Sequence, residues 1–286
     1  MRVTVLASSE GWHVEDLRRA AQGMGLELER LDFRDLEGRA GHGPGPPASL
    51  RPSLDRILVR TMPSGTLEQV IFRMDALGRL EAAGSRVLNP PRALECAIDK
   101  YLSAARMASA GLPVPPTRAC ERSELALQAF EELGGDAVVK PLFGSEGKGL
   151  VRLESLQDAR DCFARLEAMG SVICLQRFVE HPGEDYRLFT LGGRVLCGMR
   201  RVAPGGWITN IAQGGRPEPL EVTEELGALA LRAAEAVGAE AAGVDILPGS
   251  DGRLWVLEVN AVPGWKALAP TTGMDIARAL LEHLCR

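Results

Sequence analysis

Histidine and paired cysteine are scarce in this 286-residue sequence. Its four histidines (His13, His42, His181, His283) are dispersed, and its six cysteines, Cys96, Cys120, Cys162, Cys174, Cys197 and Cys285, form no C-x-x-C pair. That excludes the common zinc spacings; most of the cysteines sit in apolar segments and read as reduced, buried thiols. Long apolar runs are missing too. Nothing approaches the roughly 20 residues of a membrane span, and Met1-Arg-Val-Thr-Val-Leu-Ala7 is too short a run for a secretory signal. A cytoplasmic protein with no membrane partner is expected. Positive charge is not in excess: 33 Lys and Arg against 38 Asp and Glu give a formal net charge of −5. A nucleic-acid partner is therefore not expected. What is present, 45% hydrophobic and 25% charged residues, is ordinary for a globular chain of two or three small domains or one large α/β unit.

Periodicity divides the chain near Pro90-Pro91. Before it, the pattern predicts strands at Val3–Ala7, Leu26–Phe33, Ile57–Arg60 and Val87–Asn89, helices at Val14–Met24 and Leu67–Ala83, and a Gly/Pro-dense surface loop at Gly38–Pro52. This is the order of a small open α/β domain with parallel pairing over residues 1–91. After it the pattern turns mixed (α+β), in one unit over 92–286. A helix at Asp99–Ala110, the stiff Pro113-Val-Pro-Pro116, and a helix at Glu124–Leu133 with Ser123 as its N-cap come first. Strands at Ala137–Lys140 and Leu150–Leu153, a helix at Leu156–Met169 and a strand at Val172–Val179 follow. A hairpin of Tyr186–Leu191 with Val195–Arg201, a helix at Glu224–Val237, a second hairpin and a last helix at Met274–Leu284 complete it. No internal repeat is seen.

The second hairpin organises the rest. Apolar runs Val244–Leu247 and Leu254–Val259 flank the turn Pro248-Gly-Ser-Asp-Gly252, and within them stand Asp245, Glu258 and Asn260. Glu258 and Asn260 share a strand face, and Asp245 is expected one diagonal step away on the partner strand. Two carboxylates and an amide oxygen are hard ligands suited to Mg²⁺; the same residues also fit a hairpin with one wetted face. The loop Pro141-Leu-Phe-Gly-Ser-Glu-Gly-Lys-Gly149 joins two strands, so it fits neither a P-loop nor a dinucleotide fingerprint. It fits a flap whose backbone N–H groups cover phosphates, and it fits a plain turn. Lys140 ends an apolar strand, where an ammonium needs an anion such as phosphate. Lys100 reads as a solvated helix charge when taken alone. Gln176-Arg-Phe-Val179 offers a backbone edge for an adenine ring, and Glu184-Asp185 offers carboxylates for ribose hydroxyls. Arg187, Arg200 and Arg201 enter strands among apolar neighbours and face either a cleft or strand partners.

In their order and spacing, Asp99-Lys100, Val138-Val-Lys-Pro141, the glycine loop, Gln176–Val179, Asp185-Tyr-Arg187, Arg200-Arg201, Asn210, Ala242-Gly-Val-Asp245 and Glu258-Val-Asn260 resemble the ATP-grasp superfamily, most closely its RimK-type glutamate ligase branch. The likeness covers residues 90–286 and implies an ATP-grasp fold, with a small lobe at about 117–178 and a metal-binding lobe at 180–286, behind an N-terminal α/β domain. It implies an ADP-forming carboxylate–amine ligase working through an acyl phosphate. By the same resemblance Lys100, Lys140, Gly144, Ser145, Gly147, Gly149, Thr209 and Asn210 attend the nucleotide phosphates. Gln176, Arg177, Phe178, Val179 and Asp185 hold adenine and ribose. Asp245, Glu258 and Asn260 bind two Mg²⁺ (or Mn²⁺), and Arg201 with Arg187 steadies the acyl phosphate. Two positions depart from the relatives' pattern: Arg177 stands where an acidic residue is common, and Ile208 where an arginine is often found. The tail Asn260-Ala-Val-Pro-Gly-Trp-Lys-Ala-Leu268 and Asn89-Pro-Pro-Arg92 are similar to RimK-like proteins of tetrahydromethanopterin metabolism, which implies glutamate as the amino acid and a small pterin-type carboxylate as acceptor. The alternatives are glutamylation of a ribosomal protein tail and an ATP-binding protein without catalysis. The resemblance also allows a homo-oligomer.

Overall fold

The computed structural model describes residues 1–38, 54–144 and 147–286, which form three sheets. In the first, strands β1 (Arg2–Ala7), β2 (Glu27–Leu31), β3 (Arg56–Thr61) and β4 (Arg86–Leu88) pair in parallel in the order β2-β1-β3-β4. Helix α1 (Trp12–Gly23) sets Val14 and Leu17 on the face carrying Val3, Val5 and Leu58, while α2 (Leu67–Ala82) sets Leu77 and Leu80 on the face carrying Leu6, Ile57 and Val59. The strands are buried on both faces because alternate residues serve different helices. Thr66 starts α2 with a capping box: its hydroxyl accepts from the Gln69 N–H, and Gln69 accepts from the Thr66 N–H. Of the loop predicted at Gly38–Pro52, all but Gly38 lies outside the described residues.

Pro90-Pro91 does more than close β4. Pro91 occupies the first turn of an unexpected helix, α3 (Pro91–Ile98), where its missing N–H costs nothing. Helix α4 (Lys100–Ser109) follows, with the Asp99 carboxylate accepting from the N–H groups of Tyr101 and Leu102.

The second sheet holds β5 (Thr117–Cys120), β6 (Ala137–Lys140), β7 (Val151–Leu153) and β8 (Ile173–Arg177), antiparallel in the order β5-β8-β6-β7. With α5 (Ser123–Glu132) and α6 (Leu156–Ala168) it encloses its own core, in which Phe130 meets Phe163 edge to face at 6.3 Å. Ser123 is not the N-cap expected of it. It is the first residue of α5, and its hydroxyl and N–H both donate to Glu167 of α6. That bond staples two helices where a cap would have served one.

The third sheet runs β11-β10-β9-β12-β13, all antiparallel: β9 (Glu184–Leu191), β10 (Arg194–Val202), β11 (Arg216–Pro219), β12 (Ala241–Pro248) and β13 (Leu254–Asn260). Helix α7 (Glu224–Val237) matches its predicted limits; α8 (Leu268–Thr272) and α9 (Ile276–Leu284) end the chain. One core joins Leu6, Ile57 and Val87 to Ala233, Val244 and Val256; another joins Val3, Val14 and Leu58 to Phe189, Leu280 and Leu281. The first and third sheets therefore share their apolar interior, and the second stands on its own. We propose 1–91, about 117–178 and 180–286 as the limits of the three sheet units. All six cysteines are free thiols, with Cys96 and Cys174 buried. Among the described residues no helix is long and apolar enough to cross a membrane.

His13 joins the first and third units. Its Nε2 accepts from the Trp265 N–H at 3.1 Å, and the Trp265 indole donates to Asp16 at 2.8 Å. Burial, reinforced by the nearby Arg60, pushes the His13 imidazole from 6.5 down to about 4. The fold therefore holds His13 neutral. Its contribution is fully present above pH 6.5 and is lost as pH falls toward about 4, where the unfolded chain takes up the proton first. His13→Gln is expected to flatten the fall in melting temperature across that interval, read by thermal unfolding at stepped pH.

Candidate active site

Between the second and third sheets lies a cleft of about 850 Å³, open mouth included. One wall is the end of β6 and β8. Val138 faces Gln176 across the strands, and Lys140 donates from Nζ to Gln176 Oε1 at 2.6 Å, with Gln176 Nε2 donating in turn to Thr117 Oγ1 at 2.9 Å. Burial pushes the Lys140 ammonium below the usual lysine range; the carboxylate of Glu258 partly offsets this, and Lys100 adds to it. Lys100 reaches in from the first turn of α4 and donates to the Gly144 carbonyl at 2.7 Å. Two ammonium groups thus meet at one end of the cleft, where among the described residues their hydrogen-bond partners are an amide and a carbonyl oxygen.

Gly144, Gly147 and Lys148 of the glycine loop border that end. Gly147, at φ +69°, lies so near Asn210 that a Cβ would stand 2.5 Å from Oδ1; no other residue fits there without displacing one side. Gly144, Gly147, Lys148, Thr209 and Asn210 all line the cleft. Gly149 instead packs on Pro141 and does not line it, and Ser145 lies outside the described residues.

The floor is the hairpin of β12 and β13. Asp245 stands directly opposite Glu258, not a diagonal step away as expected, because a bulge pairs Ile246 with Val256 and leaves Leu257 extra. Asp245, Glu258 and Leu257 line the cleft. Asn260 pairs with Gly243 on the same sheet face but outside the cleft lining, and its buried Nδ2 has no partner.

Asp245 belongs to a buried row of alternating charge. Arg187, its cross-strand neighbour on β9, donates from Nε to Oδ1 and from Nη2 to Oδ2 at 2.8 Å. Arg201 lies 3.1 Å from Oδ2 and also clasps Asp185, its own neighbour across β9 and β10, at 2.7 and 2.5 Å. Burial alone would raise the Asp245 carboxyl, but Arg187 and Arg201 outweigh it and hold it below its ordinary value; burial lowers and the two aspartates raise Arg201, with a net upward shift. Gly243 leaves the room this needs, since a Cβ there would sit 2.8 Å from Arg187 Nη1. Asp185 and Arg201 line the cleft; Arg187 lies behind Asp245 and does not. Arg200 pairs with Glu184 and Glu218 at the margin of the sheet.

A carboxylate has about four lone-pair positions, and the arginines take three on Asp245. One position on Oδ1 remains, with Glu258 opposite on β13 and Asn260 two residues further along that strand. This is a hard-oxygen set that fits a divalent cation. Among the described residues no three His, Cys, Asp or Glu gather into a complete metal cluster. A cation here would therefore fill its shell from water or a ligand's oxygens.

The far end of the cleft is aromatic. The Arg152 guanidinium lies 3.6 Å over the Phe178 ring, Trp207 meets that ring edge-on at 5.9 Å, and His181 flanks it. The N–H groups of Arg177 and Phe178 donate to Pro116 and Asp136, which fixes the segment running on to Val179; the Arg177 side chain lies over Trp255. Trp207 and His181 line the cleft and were not foreseen. Trp207 follows a glycine pair in an aperiodic stretch, a signal easily passed over.

Residues 97–284 match the model of the RimK-like ATP-grasp domain family. The chain belongs to the RimK-like ATP-grasp family. The tetrahydromethanopterin:alpha-L-glutamate ligase of Methanosarcina acetivorans is 32% identical to it over 314 aligned positions, covering 98% of this chain and 97% of that protein. The enzyme of the same name from Methanococcus maripaludis is 40% identical over 75% of this chain and 74% of its own. In fold, the crystal structure of a RimK-domain ATP-grasp protein from Sphaerobacter thermophilus superposes with a TM-score of 0.76 at 23% identity, covering 99% of each chain. The ATP-grasp fold and the enzyme class read from the sequence both stand. This RimK-like chain is an ADP-forming amino-acid ligase of the alpha-L-glutamate ligase family, binding ATP and using a divalent metal.

Proposed function

We propose that this RimK-like enzyme joins glutamate to a small carboxylate acceptor of the tetrahydromethanopterin type. The observation that carries this reading is the end-to-end match to an enzyme bearing that name in Methanosarcina acetivorans. In the proposed sequence an acceptor carboxylate oxygen bonds to the γ-phosphorus as the bond to ADP breaks. The glutamate nitrogen then bonds to the acyl carbon, inorganic phosphate leaves, and the nitrogen loses a proton. An amine that enters neutral needs no strong base.

We assign Lys100 and Lys140 to the phosphates, with Gly144, Gly147, Thr209 and Asn210 as the groups that border them; Ser145 and Gly149 are assigned to the same loop by the resemblance alone. Lys140 supports this, because its desolvated ammonium gains most from an anion placed against it. Adenine is assigned to the Gln176, Arg177, Phe178 and Val179 end, now with Trp207 and His181, and ribose to the Asp185 side. Two divalent cations, Mg²⁺ or Mn²⁺, would when bound neutralise phosphate oxygens, held by Asp245, Glu258 and Asn260. Arg201, whose Nε and Nη2 are committed to carboxylates, keeps Nη1 for the acyl phosphate, and Arg187 holds Asp245 in place.

The test is ADP release measured with tetrahydromethanopterin and L-glutamate, each omitted in turn, and with Mg²⁺ chelated. The expected result is release only when all are present, with a product heavier by one glutamyl residue. Release that ignores the acceptor, or a product without the added residue, would refute the assignment.

A further inference from the structure

We propose that the carboxyl edge of the first sheet, at the ends of β1 and β3, binds a non-reacting carboxylate of a substrate, with Arg60 as its cationic anchor. The proposal rests on the ligase reading above and extends it to a second anion site outside the nucleotide cleft.

In the order β2-β1-β3-β4 the chain reverses direction between β1 and β3, and in open parallel sheets ligands bind outside the carboxyl ends of the strands at such a point. The two strand ends are tied there. The Ser8 N–H donates to the Thr61 carbonyl at 3.1 Å, and the Ser8 hydroxyl donates to Thr61 Oγ1 at 3.3 Å. Helix α1 begins just beyond, from an exposed Gly11 with no side-chain cap, so its first N–H groups point out at the same edge.

The second observation is Arg60, the penultimate residue of β3, which is 5% exposed. Its Nη1 donates to the Pro263 carbonyl at 2.7 Å and its plane lies 4.4 Å over Trp265, but Nε is buried without a partner. Among the described residues no carboxylate pairs with it. Glu10 is held by Arg18 and Arg30, Asp16 by Arg19 and the Trp265 indole, and His13 is neutral. Burial, with nothing opposing it, pushes the Arg60 guanidinium down to about 9. An uncompensated buried charge is costly, and an apolar residue of similar size would serve packing better. A substrate carboxylate removes that cost. The position suits a substrate as well: Pro263 also packs beside Gly243, whose other close neighbour is Arg187 Nη1, so Arg60 is one residue removed from the charged row behind Asp245.

Arg60→Gln and the apolar Arg60→Met are the test variants, the latter expected to fold because it removes the stranded charge. Binding of Mg-ADP, followed by thermal shift, is expected to match wild type and so reports on fold and nucleotide cleft alone. The affinity for L-glutamate in the presence of a non-hydrolysable ATP analogue, or KM for tetrahydromethanopterin, is expected to weaken roughly ten- to hundredfold. Weakening of glutamate places the incoming amino acid at Arg60; weakening of the acceptor alone places the acceptor there. With Arg60→Lys, which keeps the charge but not the fork, a partial return is expected. If Mg-ADP binding is intact and neither substrate weakens, Arg60 is a packing residue and the proposal is overturned. Loss of wild-type turnover with these substrates would instead refute the assigned reaction.

Discussion

Replacing Lys140 with methionine is expected to cut ADP release by roughly a hundred- to a thousandfold, the size of effect seen when one preorganised charge donor is removed. The stability of the ligand-free enzyme should change by no more than about 1 kcal/mol. Two terms oppose each other there. The buried Gln176 loses the donor on its Oε1, which costs about 1–3 kcal/mol for an orphaned acceptor. Against that, a desolvated ammonium is removed, one whose burial already holds it below the usual lysine range. Melting temperatures with and without saturating Mg-ADP are the check. The wild type should be strongly stabilised by the ligand and Lys140→Met only weakly. An equal ligand-induced shift in the two proteins would mean that Lys140 does not meet the phosphates.

The helical periods of α2, α6 and α7 were legible because each helix buries one regular face, and β9, β10 and the hairpin of β12 and β13 were legible as apolar runs set off by turn residues. Three elements were not: β5, which follows directly on the stiff Pro113–Pro116 segment, β11, with two prolines in four residues, and α3, whose first proline reads as a break. The co-location of Lys100, Lys140, Asp245 and Glu258 could be read through motif order, since Lys140, Asp245 and Glu258 stay where their strands put them and Lys100 stays at the start of α4. What could not be read was the partner each charge takes. That Asp245 shares two arginines depends on register across β9, β10 and β12, and a single bulge at Ile246 moves Glu258 opposite it. Arg60 and His13 were passed over for a related reason. Their significance lies in burial against neutral groups, the Pro263 carbonyl for Arg60 and the Trp265 N–H for His13, and a residue's burial partners come from segments some 200 to 250 positions away.

Arg201→Met is expected to be the most damaging single change to the fold. Arg201 is 4% exposed and serves two buried carboxylates at once, Asp185 and Asp245. Taking one partner from a buried ion pair costs about 3–5 kcal/mol, because the remaining charge is left in a medium that cannot solvate it. For a chain of this size that is a fall in melting temperature on the order of 10 °C. Arg187→Met should cost less, since Asp245 would still hold Arg201. The decisive variant is the double Arg201→Met, Asp185→Asn. If the cost of the single change comes from stranding Asp185, removing that charge as well should restore part of the lost stability, with a coupling of at least about 1 kcal/mol in a double-mutant cycle. Activity should not return with it, because Nη1 of Arg201 is the donor assigned to the acyl phosphate. Additive losses in the cycle would show that the aspartate and arginine act independently. Recovery of turnover together with stability would show that Arg201 shapes the cleft without touching the reacting groups.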